Sequence, residues 1–156
     1  MIVRWQQGRT EVDRLMTEGR IERVAANREL AELILMQSRR HLASAGALLE
    51  SDETGAFQLA YDAARKAMAA ILANQGLRAK GMGAHATLLD VVMAQLHPPL
   101  GATFEAFDWM RRLRNTTEYP DAEKPIAEAN DVTEAIGAAR RIIDAAEQML
   151  GNMPVY

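Results

Sequence analysis

Residues 129–150 read ANDVTEAIGAARRIIDAAEQML, and within them Ala129, Val132, Ile136, Ala139, Ile143, Ala146 and Leu150 recur at steps of three and four. That spacing returns apolar side chains to one face at every turn, so it predicts a long helix whose seam packs along another helix at a shallow crossing angle. The same rule, read back along the chain, finds further helices. From Asn27, a side chain suited to accept from first-turn amides, Leu30, Ile34, Ser38, Leu42, Ala45 and Leu49 share a face, and this helix is expected to reach about Glu50. After the connection 51–55, where Ser51 and Thr54 offer helix-start chemistry, Phe57, Tyr61, Ala64, Met68 and Ile71 mark another helix that stops at Asn74-Gln75-Gly76. The glycine-rich stretch 79–85 reads as a loop, followed by a helix through Leu88, Leu89, Val92 and Met93 that ends at His97-Pro98-Pro99. A shorter helix is predicted over about 103–114, with residues 115–121 breaking or kinking it. Val12, Leu15 and Met16 place a short helix ahead of all these, ended by Gly19.

Composition agrees with helices. The chain has 156 residues, 28 of them alanine, with 49% hydrophobic but only 5% aromatic side chains, which suits close-packed helices and excludes an all-β fold. It has no cysteine, which removes disulfides, thiolate nucleophiles and zinc sites that need sulfur. Eighteen Lys and Arg against 21 Asp and Glu leave a net charge of −3, so attraction for nucleic acid has to come from a local basic cluster. Charges spread through residues 1–20 and the lack of a long apolar run predict a soluble cytoplasmic protein with no membrane partner.

The richest chemistry lies in residues 108–120, DWMRRLRNTTEYP. Arg111, Arg112 and Arg114 put guanidinium forks near a helix end, where they can grip phosphate or carboxylate. The helix dipole and Asp108, three and four residues before Arg111 and Arg112, also explain two of them as a surface ion-pair set. Arg114 has only Glu118, four residues on, as a local partner. On the earlier helix Tyr61 and Arg65 share a face and Asp62 and Lys66 the adjacent one, so the group either pairs internally or lines a cleft opposite Arg114. His85 is a helix-start residue, a partner for a backbone carbonyl, or a proton carrier brought to that cleft. His41, beside Arg39 and Arg40, reads as a solvated face, and His97 as loop. No histidines stand four apart as metal ligands would, and the loop 76–83 lacks a preceding strand and a Gly-Lys-Ser/Thr ending, so neither a metal nor a cofactor is expected. Most of the nine methionines fall on apolar helical faces and read as core.

The segment Ala60-Tyr61-Asp62-Ala63-Ala64-Arg65-Lys66, the glycine-rich turn leading to His85, and Arg114-Asn115 on a late helix together resemble the HEPN superfamily over roughly residues 27–150. The resemblance implies an all-α, HEPN-like up-and-down helical bundle with a short N-terminal helix, divided as a helical extension over 1–26 and the domain over 27–156. Many such domains are metal-independent endoribonucleases that dimerise, pairing an arginine and its polar neighbour with a histidine four to six residues later in a shared cleft. Arg114 and Asn115 match the first two, whereas Tyr119, Pro120 and Asp121 occupy the places where the histidine is expected. Tyrosine is a poor base at neutral pH, although Glu118 can accept a proton and Arg114 can steady phosphate charge. The resemblance therefore implies Arg114, Asn115, Glu118 and Tyr119 as the catalytic set, with Arg111, Tyr61, Asp62, Arg65 and His85 binding substrate. Its implied partners are RNA, a second copy of the chain, and a protein antitoxin or regulator. The alternative it leaves open is a non-catalytic module that binds RNA, a nucleotide or a protein.

Overall fold

A computed structural model describes residues 3–156 as six helices packed into a bundle. The helices are α1 (Arg9–Thr17), α2 (Arg28–Leu48), α3 (Glu53–Gln75), α4 (Ala84–Leu96), α5 (Gly101–Glu118) and α6 (Ala129–Asn152). The α3 helix is the centre of the bundle, packed on α2, α4, α5 and α6. Most of its apolar residues are fully buried, and Phe57, Tyr61, Ala64, Met68 and Ile71 are all buried as their spacing predicted. Alanines at 60, 63, 64, 67 and 70 are buried between them, which lets neighbouring helices approach closely.

Several boundaries follow from local chemistry. The Asn27 side chain accepts from the Leu30 amide and starts α2, and Asp52, rather than Ser51 or Thr54, caps α3 by accepting from Gly55 N at 3.0 Å. The α3 helix ends on Gly76, whose φ of +82° lets its amide turn back to Ala73 O and Leu72 O. A side chain there would sit 2.8 Å from Val24 O, so that position needs glycine for space as well as conformation.

Three expectations need correction. The α5 helix does not break at Asn115 but runs to Glu118, because Asn115, Thr116 and Thr117 continue the turn and Thr117 Oγ1 accepts from Ala127 N at 2.9 Å to secure the loop beyond. The buried face of α2 starts with Ala31 and Leu35, not Leu30 and Ile34, because Leu30 turns outward at 43% exposure. On α6, Ala129 is exposed and Ile136 only half-buried, while Ala135 and Ile142 complete the buried stripe.

An element absent from the expectations also shapes the site. Ile21–Arg23 (β1) pairs antiparallel with Leu77–Ala79 (β2), matching Ile21 with Ala79 and Arg23 with Leu77. Arg78 crosses to Glu22 at 2.6 Å, and Lys80 N donates to Arg20 O beyond the ladder. This short ladder anchors the chain entering 80–83, the loop that delivers α4. No described helix is long and apolar enough to cross a membrane.

Candidate functional site

Helical spacing assembles the site from three elements. On α3, Gln58, Tyr61, Asp62 and Arg65 stand at i, i+3, i+4 and i+7, and on α5 Arg111, Arg114, Asn115 and Glu118 repeat the same spacing. His85, in the first turn of α4, enters between them.

Tyr61 is fully buried and stacks on Phe107 with ring centres 5.0 Å apart and planes 15° from parallel. Its hydroxyl oxygen lies 2.7 Å from His85 Nδ1. The Arg114 guanidinium sits over the Tyr61 ring, 5.6 Å from its centre, with Nε donating to Gln58 Oε1 at 3.3 Å and Nη2 lying 3.9 Å from Glu118 Oε2. These are soft contacts for an arginine only 23% exposed, and they leave donors of the guanidinium free.

Arg111 shares Asp108 with Arg112, at 3.3 and 2.7 Å, as the i, i+3 and i, i+4 spacing foretold. Its Nε is buried with no partner among the described residues. Arg111 and Asn115 line a cleft of about 300 Å³ together with Gly81, Gly83 and His85. A larger apolar cavity of about 570 Å³ lies on the other side of His85, with Arg65 at its wall.

The electrostatics follow from burial. Desolvation and the charges of Arg65 and Arg114 hold His85 below the ordinary imidazole value, with Asp62 opposing, so it is neutral at pH 7. Burial likewise pushes the Tyr61 hydroxyl up to about 12, against the pull of Arg114, Arg65 and Arg111, so it keeps its proton. The arrangement is therefore a neutral imidazole and the Arg111 guanidinium at the cleft, backed by a buried, protonated phenol that lies beneath the Arg114 guanidinium.

Not every residue singled out from sequence gathers there. Tyr119 caps the end of α5 at 73% exposure and is not among the residues lining the cleft, and Glu118 reaches only Arg114. Asp62 pairs with Arg65 at 3.4 Å. Sequence reading passed over Gln58, although it stands one turn before Tyr61 and Asp62 on the same face. It also took His41 for a solvated face; instead its Nε2 lies 2.8 Å from Lys66 Nζ, because α2 and α3 pack side by side there. Among the described residues no three His, Asp or Glu side chains gather as metal ligands would.

Comparison with known proteins adds one family. The family model described as the HEPN domain matches residues 31–149. No curated protein and no solved structure matches the chain.

Proposed function

The chain belongs to the HEPN domain family, and from that premise we propose that the cleft between α5 and the start of α4 binds the RNA backbone and cleaves it without a metal ion. One juxtaposition supports this reading: neutral His85 lines the same cleft as Arg111 and Asn115, and its other side is held by Tyr61 beneath Arg114. It offers a proton carrier in place of the histidine that Tyr119 replaces.

Arg111 and Arg114 hold the scissile phosphate and stabilise the charge that grows on it. In the tautomer that carries its proton on Nδ1 and donates it to the Tyr61 oxygen, His85 Nε2 has its lone pair free and takes the proton of the ribose 2′-hydroxyl. The 2′-oxygen bonds to phosphorus and the bond to the 5′-oxygen breaks, the leaving oxygen taking a proton from the imidazolium. The products carry a 2′,3′-cyclic phosphate and a 5′-hydroxyl. Asn115 donates to a phosphate oxygen, Glu118 and Asp62 orient Arg114 and Arg65, and Tyr119 contacts the strand at the rim. A second copy across a two-fold axis closes the cleft, and a protein partner restrains an activity that would otherwise act as a toxin.

A second reading has its own support. Tyr119 is exposed where the family pattern expects a histidine, and Arg114 is already engaged by Gln58 and Glu118. Both favour a non-catalytic module that binds RNA, a nucleotide or a partner protein.

The test is incubation with structured and single-stranded RNAs in excess EDTA, beside Arg114→Ala and His85→Asn proteins shown to be folded. Cyclic phosphate ends are expected from the parent, reduced about a hundredfold or more by either substitution. Intact RNA throughout refutes cleavage, and retained RNA binding then selects the second reading.

A further inference from the structure

Lys66 breaks the pattern of the other cations around the site. Arg65, Arg111 and Arg114 each have a carboxylate within 4 Å, but Lys66 has none among the described residues. Its ammonium donates instead to two neutral acceptors on α2, Gln37 Oε1 at 3.2 Å and His41 Nε2 at 2.8 Å. A half-buried cation normally carries a counter-charge, because leaving water is costly without one. An ammonium has three donors, so one remains for a ligand.

The position also matters. Lys66 follows Asp62 by four residues, on the same face of α3 and about 6 Å along its axis at the helical rise of about 1.5 Å per residue. Asp62 and Arg65 act electrostatically on both His41 and His85. Burial and the Lys66 charge hold His41 below its ordinary value, so near neutral pH it stays an acceptor for the lysine and adds no rival proton.

We infer that Lys66, held by Gln37 and His41, is a second phosphate subsite, so that a single RNA strand crosses α3 from the cleft of His85, Arg111 and Asn115 toward α2. This deepens the RNA reading above and rests on it. The ligand it requires is a chain with phosphates on successive units, bound through one set of arginines and one lysine.

The experiment measures binding of a 2′-O-methyl RNA hexamer, which cannot be cleaved by its own 2′-oxygen, over a range of salt concentrations. Parent, Lys66→Gln, Lys66→Arg and Arg114→Ala are compared, with Lys124→Gln in the loop before α6 as the control lysine. Removing one phosphate contact lowers the slope of log affinity against log salt by about 0.7 for a single strand. Lys66→Gln is expected to show that loss together with roughly tenfold weaker hexamer binding, while a dinucleotide with one phosphate binds as it does to the parent. Lys66→Arg restores the slope, and Lys124→Gln leaves it unchanged. An unaltered slope in a folded Lys66→Gln protein, with binding still lost in Arg114→Ala, overturns the second subsite and leaves the cleft standing. No binding of the hexamer by the parent overturns both.

Discussion

An imidazole surrounded by arginines and removed from water gives up its proton early, and His85 is in that position through burial first and Arg65 and Arg114 second. The sign of its effect on stability follows. The folded value lies below 6.5, so as pH falls past about 6.5 the unfolded chain takes up the proton before the folded one does, and stability declines until the folded value is passed. His41 acts in the same direction, whereas Glu11 and Glu22, whose values are lowered by Arg14 and Arg78, begin to matter only below 4.5. Urea unfolding at pH 7.5 and 5.5 should show the parent losing stability at the lower pH and a His85→Gln protein losing less; equal losses would contradict the burial of this imidazole. At this scale, what sequence revealed depended on distance along the chain. The Asp108 pairs with Arg111 and Arg112 were legible because they are one helical turn apart. The contact of Tyr61 with His85 was not, because it joins residues 24 apart on different helices and is set by how α3 and α4 pack.

Between elements, the connection of α3 to α4 is fixed by polar groups inside an apolar core. Gln75 and Gln95 are both buried and exchange two hydrogen bonds, at 2.7 and 3.0 Å, each amide satisfying the other. Gln75→Ala leaves the Gln95 amide buried without its partner, and a loss of about 1–3 kcal/mol in urea denaturation is expected. The double replacement Gln75→Leu with Gln95→Leu removes both polar groups and should cost less than the single change. A single change with no cost would mean the pair is open to water. Long helices were readable because their apolar period repeats over many turns, as on α6, where Val132, Ala139, Ile143, Ala146 and Leu150 are buried. The β1–β2 ladder has only three residues in each strand, too few for alternation to register, and the outward turn of Leu30 depends on which helices flank α2. Continuation of α5 to Glu118 was also hidden, since Asn115, Thr116 and Thr117 are weak helix formers, and the bond from Ala127 N to Thr117 Oγ1 that secures the end comes from the loop beyond.

As a whole, the molecule lines one cleft with α4, α5 and the loop before α4, backed by Tyr61 of α3, and the proposed dimer would set two such clefts side by side. Sedimentation equilibrium should therefore give twice the chain's mass, with the mass unchanged by Lys66→Gln; a monomer at all concentrations would remove the second copy from the cleft. The family was legible because its short motifs survive in sequence, as was His85 as a candidate proton carrier, whereas its seat beside Arg111 and Asn115 was not, because it depends on how α4 packs on α5. The most direct measurement is a map of backbone amide and histidine ring NMR shifts on addition of the 2′-O-methyl RNA hexamer. The expected result is one contiguous set of changes, covering residues 81–86, the stretch 111–118 and the His85 ring, with His85 titrating at higher pH once phosphate lies beside it. Changes confined to other surfaces, or a His85 ring that does not respond to saturating hexamer, would contradict the cleft as the site of RNA recognition.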